Sequence, residues 1–329
     1  MKKQQFIIAF LVLLFFVLIY FMGKDLFTGG SLSSTNPAEY NIDKYRMVDS
    51  SKICYTEISQ IPVKLNQLNG ITIDKNSDLY LTGDQEVRIF DSTFKFTGRF
   101  KIDTVANCIA ISAKQTVLLG TGAQIAEYDV KGNLLSKWEY LNSNGYITSI
   151  VQIGEFVYAA DAGNKIVLKF DALGKLLSEI GKKDTTKGIQ GFILPSLYFD
   201  LAMGPGEDLW ASNPGLHLLQ NYDENGKLNT QWGEASIRLE GFAGCCNPVD
   251  FAILPDGKFV TYEKGMDRIK IYDRTGVFEC VVSAPTTIDE AALTNCSIGS
   301  KIHDIAVDAA GKIYALDDDA KMIRVFQKK

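Results

Sequence analysis

Three aspartates, Asp200, Asp250 and Asp304, are the first residues of this chain whose type and placement suggest chemistry. Each opens a short alternating run (DLAM, DFAI, DIAV), at a repeat position held in the other copies by Gly70, Cys108 and Ser149. If the copies surround an axis, three carboxylates project toward it. Oxygen ligands of that kind suit Ca²⁺ or Mg²⁺ completed by water or carbonyls. The plainer reading is solvated carboxylates, or carboxylates that bond loop amides at strand starts. His303 adjoins Asp304, and His217 is the only other histidine. Two histidines exclude a multi-histidine zinc site and several independent histidine bases.

The cysteines form a second group: Cys54, Cys108, Cys245, Cys246, Cys280 and Cys296. Six thiols in an exported chain point to disulfides, with 15 connectivities open. Neighbouring cysteines rarely bridge each other, so Cys245 and Cys246 are expected to reach separate partners such as Cys280 and Cys296. A redox or metal role for the adjacent pair is the alternative. No C-x-x-C spacing occurs, which argues against a zinc ribbon or a thioredoxin-like dithiol. Glu263, Lys264 and Arg268 follow a strand-like run and are expected to form either a charged binding rim or a salt-bridged turn. The run Asp317 to Asp319 lacks the alternating ligand spacing of a calcium loop and reads as a solvated turn. Walker, Rossmann, HExxH and GxSxG signals are absent.

These residues sit in a repeat. An apolar-aromatic pair, an Asp, two residues and a Gly recur at Asp129, Asp171, Asp223 and Asp273, with a looser copy at Asp91. Upstream of each lies a period-two run, a turn and another such run, as in DFAILPDGKFVTYE, which predicts a β-hairpin. Hairpin, strand, Asp turn and strand make a four-stranded antiparallel blade at a period of about 40–50 residues. The sixth copy stops at Lys329 after its third strand. The segment KICYTEISQIPVKL, near residues 52–65, is expected to supply the missing strand and hide the sheet edges. The fold class is therefore all-β, a six-bladed propeller. Trp138, Trp210 and Trp232 fall at repeat positions and are expected to pack blades.

Ahead of the repeats, Phe6 to Met22 is an uncharged stretch of 17 residues, about 26 Å as a helix, close to a bilayer core. Lys2 and Lys3 precede it, and no A-x-A-like cleavage site follows. Residues 1–23 are therefore expected to be a cytoplasmic tip and single transmembrane signal anchor. Residues 24–42, rich in Gly, Ser and Thr, read as a flexible tether, and 43–329 as the propeller outside the cytoplasm.

The form I-A-V-D-x-x-G-x-I-Y, seen best in Ile305 to Phe326, resembles the NHL repeat of six-bladed propellers, and the likeness extends over about residues 43–329. More narrowly, the roughly 40 residues that carry GCCNP and EKG-x-x-R-x-K-x-Y resemble membrane-anchored bacterial NHL-repeat proteins. The resemblance implies a propeller. On function it implies a protein or ligand binder, or in some branches a lyase.

A net charge of −5 and a pI near 5.3 exclude a basic nucleic-acid binder, and 46% hydrophobic residues exclude a disordered chain. The expected function is a monomeric, membrane-tethered propeller that binds a protein, peptide or glycan without catalysis. The alternatives are a metal-assisted lyase or lactonase and a redox or metal accessory built on Cys245 and Cys246. With Lys2 and Lys3 held inside, protease added outside intact spheroplasts should digest the repeat domain. Complete protection there would invert the topology.

Overall fold

Period-two alternation puts one side of every strand against the core, and the repeats fold as antiparallel sheets. The computed structural model describes residues 5, 13–17, 20, 43–139, 142–186, 188–285 and 302–329. Residues 1–42 and 43–329 are separate units. In the first, residues 13–17 and 20 are helical. Among the described residues no helix is long and apolar enough to cross a membrane. The rest of the expected span at residues 6–22, and the tether up to residue 42, lie outside the described residues.

The second unit is an all-β, six-bladed propeller. Its strands form six four-stranded sheets, and in five of them the strands pair in chain order. The inner strands are Gly70–Ile73, Cys108–Ile111, Ile147–Ile153, Leu201–Met203, Asp250–Ile253 and Ile302–Val307. The repeated Asp explains the turn between the third and fourth strands of a blade. Asp171 Oδ1 accepts from the Leu173 and Lys175 amides, both at 2.9 Å, and Asp273 Oδ1 from Thr275 and Val277 at 2.8 and 2.9 Å. These bonds give the backbone a local alternative to the ladder, so the chain reverses there. The Gly that follows is required twice over. Gly174 and Gly276 adopt φ 83° and 86°, and a Cβ at either would strike Trp138 or Trp232 of the preceding blade. Turn and tryptophan thus interlock adjacent blades, and the expected packing role of these tryptophans is observed.

Apolar cores lie between successive sheets. Val260, Ile271 and Val282 of blade five pack with Ile305, Ile313 and Phe326 of blade six. Blade six is completed by the strand Tyr55–Pro62, which pairs antiparallel with Met322–Lys328. Just before that strand, Cys54 forms a disulfide with Cys280 in the outer strand of blade five. The neighbouring backbone follows: Cys54 N donates to Val281 O at 3.0 Å, and Lys329 N donates to Cys54 O at 3.0 Å. Cys280 is therefore paired with Cys54 and not with Cys245, Cys246 or Cys296. The reason is topological, because ring closure brings residues 226 positions apart into one sheet edge. Cys296 lies outside the described residues.

The disulfide ties the closing strand across the seam between blades five and six. Replacing Cys54 and Cys280 by Ser together should lower the unfolding free energy by about 2–5 kcal/mol in a denaturant titration. A chain beginning near residue 66 should melt lower still, since it also loses the closing strand and exposes two sheet edges. Equal midpoints for these chains and one beginning near residue 40 would show that the seam needs neither feature.

Candidate functional site: the central channel and its mouth

An inner strand has a partner on one side only, so its other edge presents unpaired backbone N–H groups toward the next blade. Side chains at or near the start of the inner strand satisfy several of them. Ser149 Oγ accepts from the Leu201 amide at 3.2 Å, Asp200 Oδ2 from Phe251 at 3.0 Å, and Asp304 Oδ2 from Ile71 at 2.8 Å. Asp200 and Asp304 each also cap the amide that follows them, both at 2.8 Å. These carboxylates are clasps between blades. Asp250 differs: it is buried, and its Oδ1 has no hydrogen-bond partner.

The three carboxyl groups line one cavity of about 820 Å³, the propeller channel. Burial raises Asp200 to about 6, and burial together with the charge of Asp200 raises Asp304 to about 7. Asp250 is raised well above the usual carboxylate range, first by burial and then by the charges of Asp200 and Asp304. All three carboxyl groups therefore take up protons at higher pH than a free aspartate does. Among the described residues, no three His, Cys, Asp or Glu side chains are grouped so as to hold a metal ion.

At the mouth, amides, hydroxyls and one cation converge. Tyr146 OH donates to Asn107 Oδ1 at 3.1 Å, and Lys264 Nζ donates to Tyr198 OH at 2.8 Å. Asn69 and the exposed Val105, Leu197 and His303 share this lining. Of the expected charged rim, only Lys264 is exposed there. Glu263 and Arg268 are fully buried, a correction to the rim reading. Glu263 closes one strand and Arg268 opens the next as a cross-strand pair, and both point into blade five. Arg268 Nε donates to Glu263 Oε2 at 2.8 Å, its Nη2 lies 2.6 Å from the same oxygen as an ion pair, and Lys270 Nζ lies 3.2 Å from it.

Lys270 is the member that sequence reasoning missed, although the R-x-K spacing on a strand puts it on Arg268's face. Burial pulls its ammonium down to about 8 despite Glu263. Its Nζ donates to the carbonyls of Gly241 at 2.5 Å and Leu239 at 3.2 Å, and Glu263 Oε1 accepts from Ala243 N at 2.6 Å. The network thus pins the loop that carries Cys245 and Cys246. Asn247, before a cis Pro248, fastens the loop's far end: its amide bonds the Ala243 and Lys264 carbonyls, and it accepts from Lys264 N at 2.8 Å. His217 contacts the Gly244 carbonyl on this loop and stands apart from the channel lining.

Cys245 and Cys246 carry free thiols, with their sulfurs 3.3 Å apart. Cys246 Sγ is 2.9 Å from Ser196 Oγ, which lines the channel mouth. Burial raises the Cys246 thiol and Cys245 adds to that, while Ser196 and Lys264 oppose it. Cys108 is a buried free thiol raised by burial, in keeping with a packing role.

Raised carboxyl groups bind more protons in the folded state than in the unfolded chain, so their contribution favours folding at low pH and is lost as pH rises through the folded values. Between pH 5 and pH 8 the native protein should lose about 1–3 kcal/mol more stability than Asp250→Asn, which removes one buried acid and its repulsions. Parallel stability profiles for the two proteins would show that folding does not raise the Asp250 carboxyl group.

No protein-family model and no curated protein matches the sequence. Solved structures do match the fold. A streptogramin B lyase aligns over 85% of this chain and all of its own length, at 11% identity and TM-score 0.57. A virginiamycin B lyase from Staphylococcus aureus aligns over 84% of this chain and all of its own, at 12% identity and TM-score 0.56. A structural genomics protein of unknown function from Bacteroides thetaiotaomicron aligns over 85% of this chain and 74% of its own, at 17% identity and TM-score 0.58. At these identities the likeness is one of fold: the chain shares the propeller architecture of these proteins.

Proposed function

We propose that this protein is a membrane-tethered, extracytoplasmic propeller that binds an extended peptide segment of a protein partner at the mouth of its central channel, without catalysis. The observation that carries this reading is the mixed character of the mouth. Exposed apolar Val105 and Leu197 share the rim of a cavity of about 820 Å³ with Asn69, Asn107 and Lys264. An extended peptide offers matching groups: backbone amides for the asparagines, apolar side chains for Val105 and Leu197, and a carboxylate for Lys264. The tether rests on the uncharged run at residues 6–22, and the compartment on Lys2 and Lys3 ahead of it.

A lyase is the second reading. It draws on the propeller likeness to streptogramin B lyases and on a specific local feature: His303 stands at the mouth beside Asp304, whose carboxyl group burial raises to about 7. In that reading His303 would move a proton at the substrate, and the NHL resemblance would point to the enzyme branches.

Peptides selected from a display library against the full chain in detergent should bind the native protein at least about tenfold more tightly than Leu197→Asp or Lys264→Glu, whose melting temperatures should be unchanged. Equal binding to native and altered proteins would sink the peptide site. Turnover of a selected ligand that His303→Ala abolishes would favour the lyase.

A further inference from the structure

Two thiols in contact on one short loop need an explanation in a chain that elsewhere forms a disulfide. Consecutive Cα atoms across a trans peptide are about 3.8 Å apart, below the roughly 4.4–6.8 Å that a relaxed disulfide spans. Cys245 and Cys246 are thus poorly placed to bridge each other, and Cys280, a candidate partner, is taken by Cys54. They stand as a dithiol, with sulfurs 3.3 Å apart.

That separation is a chelating bite. With an ion–sulfur bond of about 2.3 Å, it sets an S–ion–S angle of about 90°. A right angle suits a pyramidal, thiophilic centre, and a small widening admits a tetrahedral one. Soft thiolates select soft ions. The surroundings are those of a built site. The loop is fixed before the thiols by the Glu263 bond to Ala243 N, and after them by Asn247. Ser196 Oγ meets Cys246 Sγ, and the positive charge of Lys264 acts on Cys246, which offsets the negative charge of a bound dithiolate. Lys264 is itself held by Tyr198.

We propose that Cys245 and Cys246 together chelate one soft, thiophilic metal or metalloid ion at the channel mouth. The inference stands independently of which ligand the mouth takes. A trivalent organoarsenical, phenylarsine oxide, is a direct probe because two adjacent thiols are needed to hold it stably. Both S–H bonds break and two As–S bonds form. The two protons leave with the arsenic-bound oxygen as one water, and arsenic remains trivalent, so no oxidant or reductant is involved.

The full chain in detergent is titrated with phenylarsine oxide, following free-thiol loss and intact mass. One equivalent should bind the native protein, with affinity at least about tenfold weaker in Cys245→Ser and in Cys246→Ser. Cys296→Ser should bind like the native protein, and thermal melting should be the same for all variants. The proposal is overturned if either single variant binds as tightly as native, if Cys296→Ser abolishes binding, or if the native pair is found already joined as a disulfide. Failure of native protein with two titratable thiols to take up the arsenical overturns it as well.

Discussion

The propeller depends on how it satisfies the edge of each inner strand. A four-stranded blade leaves backbone N–H groups open on its inner side, and a buried amide without a partner costs about 1–3 kcal/mol. Here, at three of the joints, one side chain answers for a neighbour's backbone: Ser149 for Leu201, Asp200 for Phe251, Asp304 for Ile71. Serving this role places carboxyl groups around a narrow axis, where burial and mutual repulsion favour their protonated forms. The electrostatics of the channel are thus a consequence of blade joining. Asp200 and Asp304 are committed to a neighbour's amide, which gives them a role in cohesion.

Blade five carries a different burden. Glu263, Arg268 and Lys270 put one negative and two positive charges into a setting with almost no solvent. A buried ion group of this kind adds little net stability over well-packed apolar residues, because desolvation offsets the attraction. Its geometry suggests positional specificity instead. Lys270 and Glu263 reach out of the sheet to carbonyls and an amide of the loop at residues 239–243, and Arg268 Nη1 bonds the Tyr45 carbonyl at 3.2 Å. A loop that would otherwise run over the surface is held against the mouth, and with it the two thiols. The segment before the closing strand is drawn onto the same blade, where Arg46 also pairs with Asp267. The disulfide at Cys54 lies on the same seam. The seam and the candidate site are therefore mechanically continuous through blade five.

Much of this architecture was legible in the chain. The Asp-x-x-Gly turns, the alternating hairpins and their spacing all report local geometry, since period-two patterning and turn chemistry act over a few residues. A truncated last copy marks where a strand is wanted. The aligned inner position also singled out Ser149, Asp200, Asp250 and Asp304 as a set, because the same repeat position must face the same axis.

What those residues face was decided only by tertiary structure. Whether a carboxylate meets water, a cation or a neighbour's amide depends on the stagger between adjacent sheets, which no single repeat encodes. The charged stretch Glu263 to Arg268 read as surface because charges usually are. Yet Glu263 and Arg268 are buried: Glu263 accepts from the Ala243 amide of a loop whose Leu239 and Gly241 carbonyls accept from Lys270, and Arg268 reaches the Tyr45 carbonyl. Cysteine pairing was likewise closed to the sequence. Cys54 meets Cys280 because the ring closes between the chain's two ends, and the Cys245 and Cys246 sulfurs lie 3.3 Å apart on a loop fastened on both sides of them. Local periodicity determined the blades; long-range closure decided their chemistry.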